Sequence, residues 1–526
     1  MYLPALSQSL LVLALALLIP LWPTSTLPLL NILKSFTSKP TMAGISETQK
    51  AQLQEVADLM LEIYQTLARM RYLDPRGIQI GPHNITELRP LYEQHGLDPS
   101  IIYLYSILPY VDTAAAGNED FYNGGEFTDF RTEDDVEQGR DPFYAGPTDE
   151  DFDDEDGPYI RPWVTPLSRL GNHQSVIVYD ARKHRIWIID QEGWCSTDPA
   201  LEDVEEETPK SKNRSNFDHI PSRPAGDVLR DIIRWYRELK ELPGGGEHSG
   251  GEWDHEDLDL KGLYRKHGWP DNFDGDAFQV DKARAYCADR VKYGAEEPLR
   301  AVERFKNWKE WSGNTIQDRR KAIAAAKSPD EEWVTRLELW DAERSYRRHT
   351  EELKKAEQEA SRLCPDGVCL KLEDIPLLEL DSVRQEYEYK QREAEDERKW
   401  MEETPESNPE DAERFQNSFY LAEKEAAIYR KAWEAAKADA ERLCPGRTLN
   451  VTGPETSEQE RTMAEVQRME DHAMSVQLEL AALREWASQI PDDATTAKDK
   501  ANSKIQTYQQ WWDDGQARIA TLKATL

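Results

Sequence analysis

Cysteine is the most chemically versatile residue type in this chain, and its spacing excludes several kinds of site. The five cysteines are Cys195, Cys287, Cys364, Cys369 and Cys444. Cys364 and Cys369 lie five positions apart, whereas a C-x-x-C zinc pair is separated by about three. An odd number of cysteines spread over 526 residues is also unlike the dense disulfide framework of a small secreted domain. We therefore predict no metal site among the cysteines.

Histidine is the second candidate, and three histidines cluster at His248, His255 and His267. Their spacing matches no metal-ligand set, and His255 lacks the second histidine of a metalloprotease helix. Glu247 occupies the first glycine position of a nucleophile elbow around Ser249, so that motif is incomplete. The chain also lacks a G-x-x-x-x-G-K-[ST] phosphate-binding loop. We predict no catalytic residue, no cofactor and no metal.

The chain contains sites that could be N-glycosylated if the protein enters the secretory pathway. Asn84, Asn213 and Asn450 each begin an N-x-[ST] sequon. A chain of this length carries one or two sequons by chance. The three asparagines are therefore possible sites, and they do not decide where the protein resides.

The net charge of the chain indicates which classes of partner are expected. The chain has 65 lysines and arginines against 100 acidic residues, a net charge of −35. Such a charge repels nucleic-acid phosphates and anionic lipids, so neither is expected as a partner. It favours another protein with a basic surface, although a well-solvated surface without a partner would have the same composition. The 16 tryptophans and 21 tyrosines argue against a disordered chain.

Residues 1–41 form an apolar leader for which three roles stay open. The run 10–22 has the length of a secretory signal core and is too short to span a bilayer. Adding residues 27–33 makes a possible membrane anchor, although prolines interrupt it and no basic residue precedes Lys34. Met42 is an alternative start that would make the leader dispensable. The secretory pathway or a membrane is favoured slightly over the cytoplasm, with membrane contact only through residues 1–41.

The elements that would position functional side chains begin with a predicted α+β domain over 46–295. Ser46 to Gln49 has the S-x-x-Q pattern of a helix N-terminus, and apolar residues follow every three or four positions. The apolar runs 176–179 and 186–189 flank a polar turn, which predicts a β-hairpin covered on both faces. An amphipathic helix over 227–242 follows, and a further element at 277–293 closes the domain.

An acidic insertion over 119–156 interrupts this domain. It carries 16 acidic residues against Arg131 and Arg140. The aromatic residues interleaved with them are Phe121, Tyr122, Phe127, Phe130, Phe143, Tyr144 and Phe152. We predict a flexible acidic loop that docks these aromatic residues onto a basic surface. The alternative is a solvated insertion that has no partner.

Short motifs in this region carry a resemblance to a known family. Leu108-Pro109-Tyr110 comes first, Phe121-Tyr122-Asn123-Gly124-Gly125 second, and the predicted hairpin and amphipathic helix follow. In this order they resemble the SUKH superfamily over roughly residues 46–242. That superfamily comprises fungal cell-wall assembly regulators and bacterial immunity proteins. The resemblance implies an α+β module with a protein-binding surface and no catalysis, and no functional residue carries over from it.

The C-terminal region, 296–526, is predicted to be a helical bundle with an internal duplication. Residues 328–365 and 408–445 align without a gap at a separation of 80 residues. The identical pairs are Pro329/Pro409, Ala342/Ala422, Glu343/Glu423, Ala356/Ala436, Ala360/Ala440, Arg362/Arg442, Leu363/Leu443, Cys364/Cys444 and Pro365/Pro445. We predict a duplicated helical hairpin, in which return helices follow at about 378–401 and 458–488. Further helices are predicted at 299–311 and 498–526.

The duplication bears on the cysteines. Alternate helices of an up-and-down bundle run parallel, so Cys364 and Cys444 should lie at one end of it, with Cys369 near them. In a secretory compartment a disulfide could form among these three residues. The alternative is that they are free thiols that pack at the helix ends.

These observations predict an α+β N-terminal domain followed by an all-α antiparallel helical bundle, helix-rich overall. The favoured function is that of a non-catalytic protein-interaction, scaffold or regulatory protein. One alternative is a secreted or lumenal enzyme of unrecognised class, with a site in 175–269 that would need His248, Asp254 and His255. The other alternative is a membrane-anchored acidic protein.

Overall fold

The computed structural model is dominated by long helices, with a small antiparallel sheet region in its N-terminal part. It describes residues 45–143, 159–170, 175–190, 193–204, 208, 215–244, 258–404, 409–447 and 458–526. Over these residues there are thirteen α-helices and six strands. The predicted fold class, an α+β region followed by a helical bundle, is confirmed.

The helices lengthen markedly toward the C-terminus. They are α1 (Glu47–Arg69), α2 (Arg89–Gln94), α3 (Pro99–Ile107), α4 (Thr113–Ala116), α5 (Glu133–Gln138), α6 (Ala225–Glu238), α7 (Leu260–Lys266), α8 (Gly275–Ala325), α9 (Pro329–Leu363), α10 (Ile375–Glu403), α11 (Pro409–Leu443), α12 (Glu458–Ala487) and α13 (Thr495–Thr525). The strands are β1 (Ile78–Gln79), β2 (Tyr110–Val111), β3 (Val164–Pro166), β4 (Ser175–Asp180), β5 (Arg185–Asp190) and β6 (Arg223–Pro224).

The chain divides into two compact units, each with its own interior. The first unit comprises the residues up to Ile63 together with Gln79–Tyr110 and Gly125–Asp231. The second unit comprises Tyr64–Ile78, Val111–Gly124 and Ile232–Leu526. The chain passes from one unit to the other inside α1 and inside α6. The region 46–295 therefore contributes residues to both units.

The first unit is built around the predicted β-hairpin, which is confirmed. β3, β4, β5 and β6 form an antiparallel sheet in that order, and Val178 of β4 lies opposite Trp187 of β5. All of β4 is buried, as expected for a strand that is covered on both faces. The polar turn is held by Asp180, whose carboxylate accepts hydrogen bonds from the backbone N–H groups of Arg182 and Lys183 at 2.8 and 2.9 Å.

The aromatic residues of the acidic insertion are core residues, so the predicted docking loop is wrong for the part that is described. The buried set is Phe121, Tyr122, Phe127, Phe130 and Phe143, each at most 6% exposed. In the first unit Phe130 stacks on Tyr105, with 4.1 Å between the ring centroids. Burial of an aromatic ring is strongly favourable, and acidic neighbours such as Glu133 stay exposed. Tyr144 and Phe152 lie outside the described residues.

The second unit contains three long helical hairpins, and their pairing differs from the prediction. α8 packs along α9, α10 along α11 and α12 along α13. Each repeat helix, α9 or α11, therefore pairs with the helix before it, and it makes few contacts with the predicted return helix. Small side chains on α11 let it pack closely against α10. Ala432 and Ala436 pack beside Val383 of α10, and Ala440 packs beside Leu377.

The predicted elements at 277–293 and 299–311 belong to one helix, α8, which has 51 residues. At 1.5 Å per residue it is about 75 Å long. Pro298 lies inside α8, although a proline removes a backbone donor and disfavours the preceding helical turn. The Arg300 guanidinium donates to the Tyr293 carbonyl in the turn before this proline. The predicted domain boundary between residues 295 and 296 consequently falls inside a helix.

The two repeat helices have equal length, 35 residues each. Ala342, Ala356 and Ala360 of α9 are buried, as are their counterparts in α11. The N-cap of α9 is Ser328, whose hydroxyl accepts from the Glu331 N–H at 3.1 Å. The corresponding Asn408 lies outside the described residues. The duplication itself stays a prediction.

Each repeat helix, α9 or α11, also contacts another part of the second unit through a second face. In α9, Trp340 packs against the core that α12 and α13 form, and Arg344 pairs with Glu479. The residues 80 positions later are Tyr420 and Lys424 of α11. Tyr420 lies under the Arg76 guanidinium at 3.3 Å, and Lys424 donates to Asp74 at 2.9 Å. Corresponding positions of α9 and α11 therefore contact different parts of the second unit.

Candidate functional site

The cysteines at the predicted bundle end lie around one loop. Cys364 and Cys369 are joined by a disulfide. The Cys444 thiol is buried beside Leu377 and donates to the Glu373 carbonyl at 3.5 Å. Among the described residues, Cys195, Cys287 and Cys444 form no disulfide. Burial raises the pKa of Cys287 to about 11, which makes this thiol a poor nucleophile at neutral pH.

The enzyme alternative named three residues in the segment between α6 and α7. His248, Asp254 and His255 lie outside the described residues. His267 is described, and its Nε2 lies 3.0 Å from a carboxylate oxygen of Asp281, which is within hydrogen-bond distance. Within the described ranges there is no cluster of histidine, cysteine and acidic side chains that could hold a metal ion.

One of the three sequons can be examined. Asn84 is exposed, and its side-chain oxygen accepts hydrogen bonds from the Thr86 N–H and hydroxyl at 3.2 and 2.7 Å. Asn213 and Asn450 lie outside the described residues.

An open groove lies between α10 and α11 and has a volume of about 840 Å³. Both helices line it at positions separated by four, three and four residues, which is the spacing of one helix face. The residues in α10 are Tyr387, Gln391, Ala394 and Arg398, and those in α11 are Phe419, Glu423, Ala426 and Arg430. Alanines thus form the middle of the groove on both helices.

Each end of the groove combines an aromatic residue with an arginine, because the two helices of the hairpin are antiparallel. Tyr387 stacks on Trp433, one turn of α11 beyond Arg430, with 5.8 Å between the ring centroids. At the other end Trp400 lies 6.4 Å from Phe415, next to Arg398 and Phe419. The two arginine–aromatic ends lie on either side of the alanine floor.

Some charged side chains of the groove form ion pairs, and others have no partner among the described residues. Arg398 pairs with Glu395 at 3.3 Å, so its charge is partly compensated. Arg392 and Arg430 are exposed, and neither has an ion pair or hydrogen bond to a described residue. Glu423 likewise has no partner in the described part of the chain. Two guanidinium groups and one carboxylate are therefore available to a ligand.

A partly buried lysine links the two walls of the groove. Lys390 of α10 pairs with Glu393 at 2.9 Å and, across the hairpin, with Glu425 of α11 at 3.1 Å. Burial lowers the pKa of Lys390, but hydrogen bonds and charge interactions with the two glutamates raise it overall. The ammonium therefore stays protonated at neutral pH, and the groove keeps its walls in place without a ligand.

Sequence reasoning did not identify this groove. The 4-3-4 spacing of the lining residues is present in the chain, but it also occurs on helix faces that are buried in a bundle. The groove exists because α11 turns its alanine stripe at Ala432 and Ala436 toward α8 and α10 and leaves Phe419 and Arg430 on another face.

Comparisons with known proteins give no family. No protein-family model, no curated protein and no solved structure matches the chain. None of the described helices is long and apolar enough to cross a membrane. The leader, residues 1–41, lies outside the described residues.

Proposed function

We propose that this chain is a non-catalytic protein-interaction protein, and that its α10–α11 groove binds an amphipathic helical segment of another protein. The observation that carries the proposal is the open groove with an alanine floor between two fixed helices. The lining stretch from Tyr387 to Arg398 covers about 16 Å of helix, enough for about three turns of a bound helix. Small side chains let a third helix approach closely, as in helix-in-groove recognition.

The available charges define the partner segment. Arg392 and Arg430 would pair with acidic residues at the edges of the bound helix, and the aromatic side chains at the two ends would contact its apolar face. The expected partner is therefore a helix with an apolar stripe and acidic flanks. The expectation of a partner with a basic surface rests on the net charge of the whole chain, and it stays a prediction for other parts of the surface.

The scaffold hypothesis takes its support from this groove and from the long, multiply paired helices around it. The SUKH resemblance would place a second protein-binding surface in residues 46–242, and it also stays a prediction. No observation among the described residues favours the enzyme or the membrane-anchored alternative over the binding protein.

Site-specific photo-crosslinking in the native cells tests the proposal. A photoreactive amino acid replaces Gln391, an exposed residue of the groove, or Gln358, an exposed residue of α9 outside the groove lining. We expect a protein to be captured at position 391 and not at 358, with the crosslink in an acidic amphipathic helix. Ala427→Trp, which fills the groove floor, should abolish this capture.

Charge reversal provides the second test. Arg392→Glu combined with Arg430→Glu should weaken binding of the captured segment about tenfold, since two exposed ion pairs together are worth about 1–2 kcal/mol. Arg347→Glu combined with Arg348→Glu is the matched control, because these arginines are exposed on α9, away from the groove. Equal capture at both crosslinking positions, or capture that persists in the filled groove, would refute the proposal.

A further inference from the structure

A second cavity in the same unit lies on another side of α11, and it is suited to a small molecule. Its volume is about 390 Å³, which is within the usual range for small-ligand sites. It is enclosed by α8, α11 and two short segments, 71–74 and 116–118. Its apolar lining includes Phe278, Ala283, Leu421 and Ile428.

Nearly all charges in this cavity already have partners. Lys424 donates to Asp74 at 2.9 Å, and Arg71 donates to Asp276 at 2.8 Å. Glu425 pairs with Lys390 at 3.1 Å. Burial would raise the pKa of Asp74, but hydrogen bonds from the Arg76 backbone and from Lys424 lower it overall. These groups therefore hold the walls together and leave no carboxylate of the lining unpaired.

Lys282 is the exception. Its side chain is partly buried in the cavity wall, and its ammonium has no hydrogen bond or ion pair to any described residue. The Tyr286 ring lies nearby, with its centroid 5.9 Å from Lys282 Nζ. Burial lowers the pKa of Lys282, and the charge of Glu425 opposes that effect. A partly buried ammonium without a partner is unfavourable unless a ligand or water compensates it.

A second unused donor lines the same cavity. The Tyr429 hydroxyl has no hydrogen-bond partner among the described residues, and burial raises the pKa of this phenol. It therefore stays protonated and able to donate. The cavity thus combines an ammonium and a hydroxyl that have no hydrogen-bond partner among the described residues with apolar side chains such as Leu421 and Ile428.

We propose that this cavity binds a small organic carboxylate with an apolar body. The carboxylate accepts a hydrogen bond from Lys282 Nζ. The apolar body packs against Phe278, Leu421 and Ile428. The ligand supplies the negative charge that the protein does not provide for Lys282, so an uncharged analogue of the same shape binds more weakly.

The test compares two probes of similar shape on the full chain. 3-Phenylpropionate carries the carboxylate, and 3-phenylpropionamide replaces it with a neutral amide. We expect calorimetric titration to give an affinity for the carboxylate about tenfold higher than for the amide. Equal affinities for the two probes, or no carboxylate binding at millimolar concentration, would overturn the proposal independently of any variant.

A variant then assigns the preference to Lys282. Lys282→Met keeps the length and the apolar stem of the side chain, and it should abolish the difference between the two probes. Lys371→Met is the matched control, because Lys371 is exposed outside the cavity lining. Thermal unfolding of both variants establishes that they are folded. A carboxylate preference that survives in folded Lys282→Met would also refute the assignment.

Discussion

The clearest disagreement between sequence and structure concerns the aromatic residues of the acidic insertion, and Phe130→Ala tests it directly. The Phe130 side chain is fully buried, and its ring stacks on Tyr105 with an interplanar angle of 6°. Replacing a buried phenylalanine by alanine removes its transfer free energy and leaves a cavity, at a cost of about 3–5 kcal/mol. Loss of the stacked pair contributes about 0.5–1.5 kcal/mol of this total. A flexible docking loop would predict almost no change.

Hydrogen exchange measured by mass spectrometry is a suitable assay, because it reports on the first unit alone. Peptides from β4 and β5 should exchange slowly in the wild-type chain, since these strands are central to the sheet and buried. In Phe130→Ala we expect the free energy of opening for these peptides to fall by about 3–5 kcal/mol. That decrease corresponds to an acceleration of exchange by more than a hundredfold.

Glu137→Ala is the matched control in the same segment. Glu137 is exposed near the end of α5, and a surface substitution of this kind changes stability by about 0.5 kcal/mol or less. If Phe130→Ala accelerated the exchange of β4 and β5 no more than Glu137→Ala does, Phe130 would not be a core residue. The prediction of a docking loop would then be restored.

Two further predictions concern single contacts. The hydrogen bond from Arg161 is the main cause that lowers the pKa of Asp218 to about 2. A hydrogen bond from Lys183 also lowers this pKa, whereas burial raises it. Its ion pairs therefore stabilise the fold above about pH 4 and lose this effect as the pH falls toward 2. Because the side chain is 43% exposed, Asp218→Asn should cost about 1 kcal/mol at pH 7 and only a small part of that at pH 2, as measured by urea unfolding. Ala436 packs beside Val383 of α10, so Ala436→Leu should overpack this contact and destabilise the second unit by about 1–3 kcal/mol. Ala438→Leu, at an exposed position of α11, should not destabilise it. Equal effects of the two substitutions in thermal unfolding would contradict the pairing of α11 with α10.

Local signals explain why the sequence predicted several element limits correctly. The limits of α9 follow from the Ser328 cap before Pro329 and from the Cys364-Pro365 stop, and those of α11 follow from the same pattern. The β-hairpin follows from two apolar runs around a polar turn. In each case the deciding interactions lie within a few residues of each other.

Pro298 shows where a local signal misleads. A proline disfavours a helix interior, but α8 continues through Pro298, and the neighbouring helix α9 packs along α8. The same limitation applies to the acidic insertion. Composition predicts a solvated loop, yet the partner of Phe130 is Tyr105, which lies outside the insertion.

The sequence by itself determined the fold class, the length of the repeat helices and the strands of the hairpin. The tertiary structure decided which helices pair, where the groove opens and which cavity encloses Lys282. Those features depend on contacts such as that between Lys424 and Asp74, which are 350 positions apart. A periodic pattern specifies that a helix has an apolar face, but many partners can bury that face. The choice among them rests on the packing of side chains that are distant in the chain.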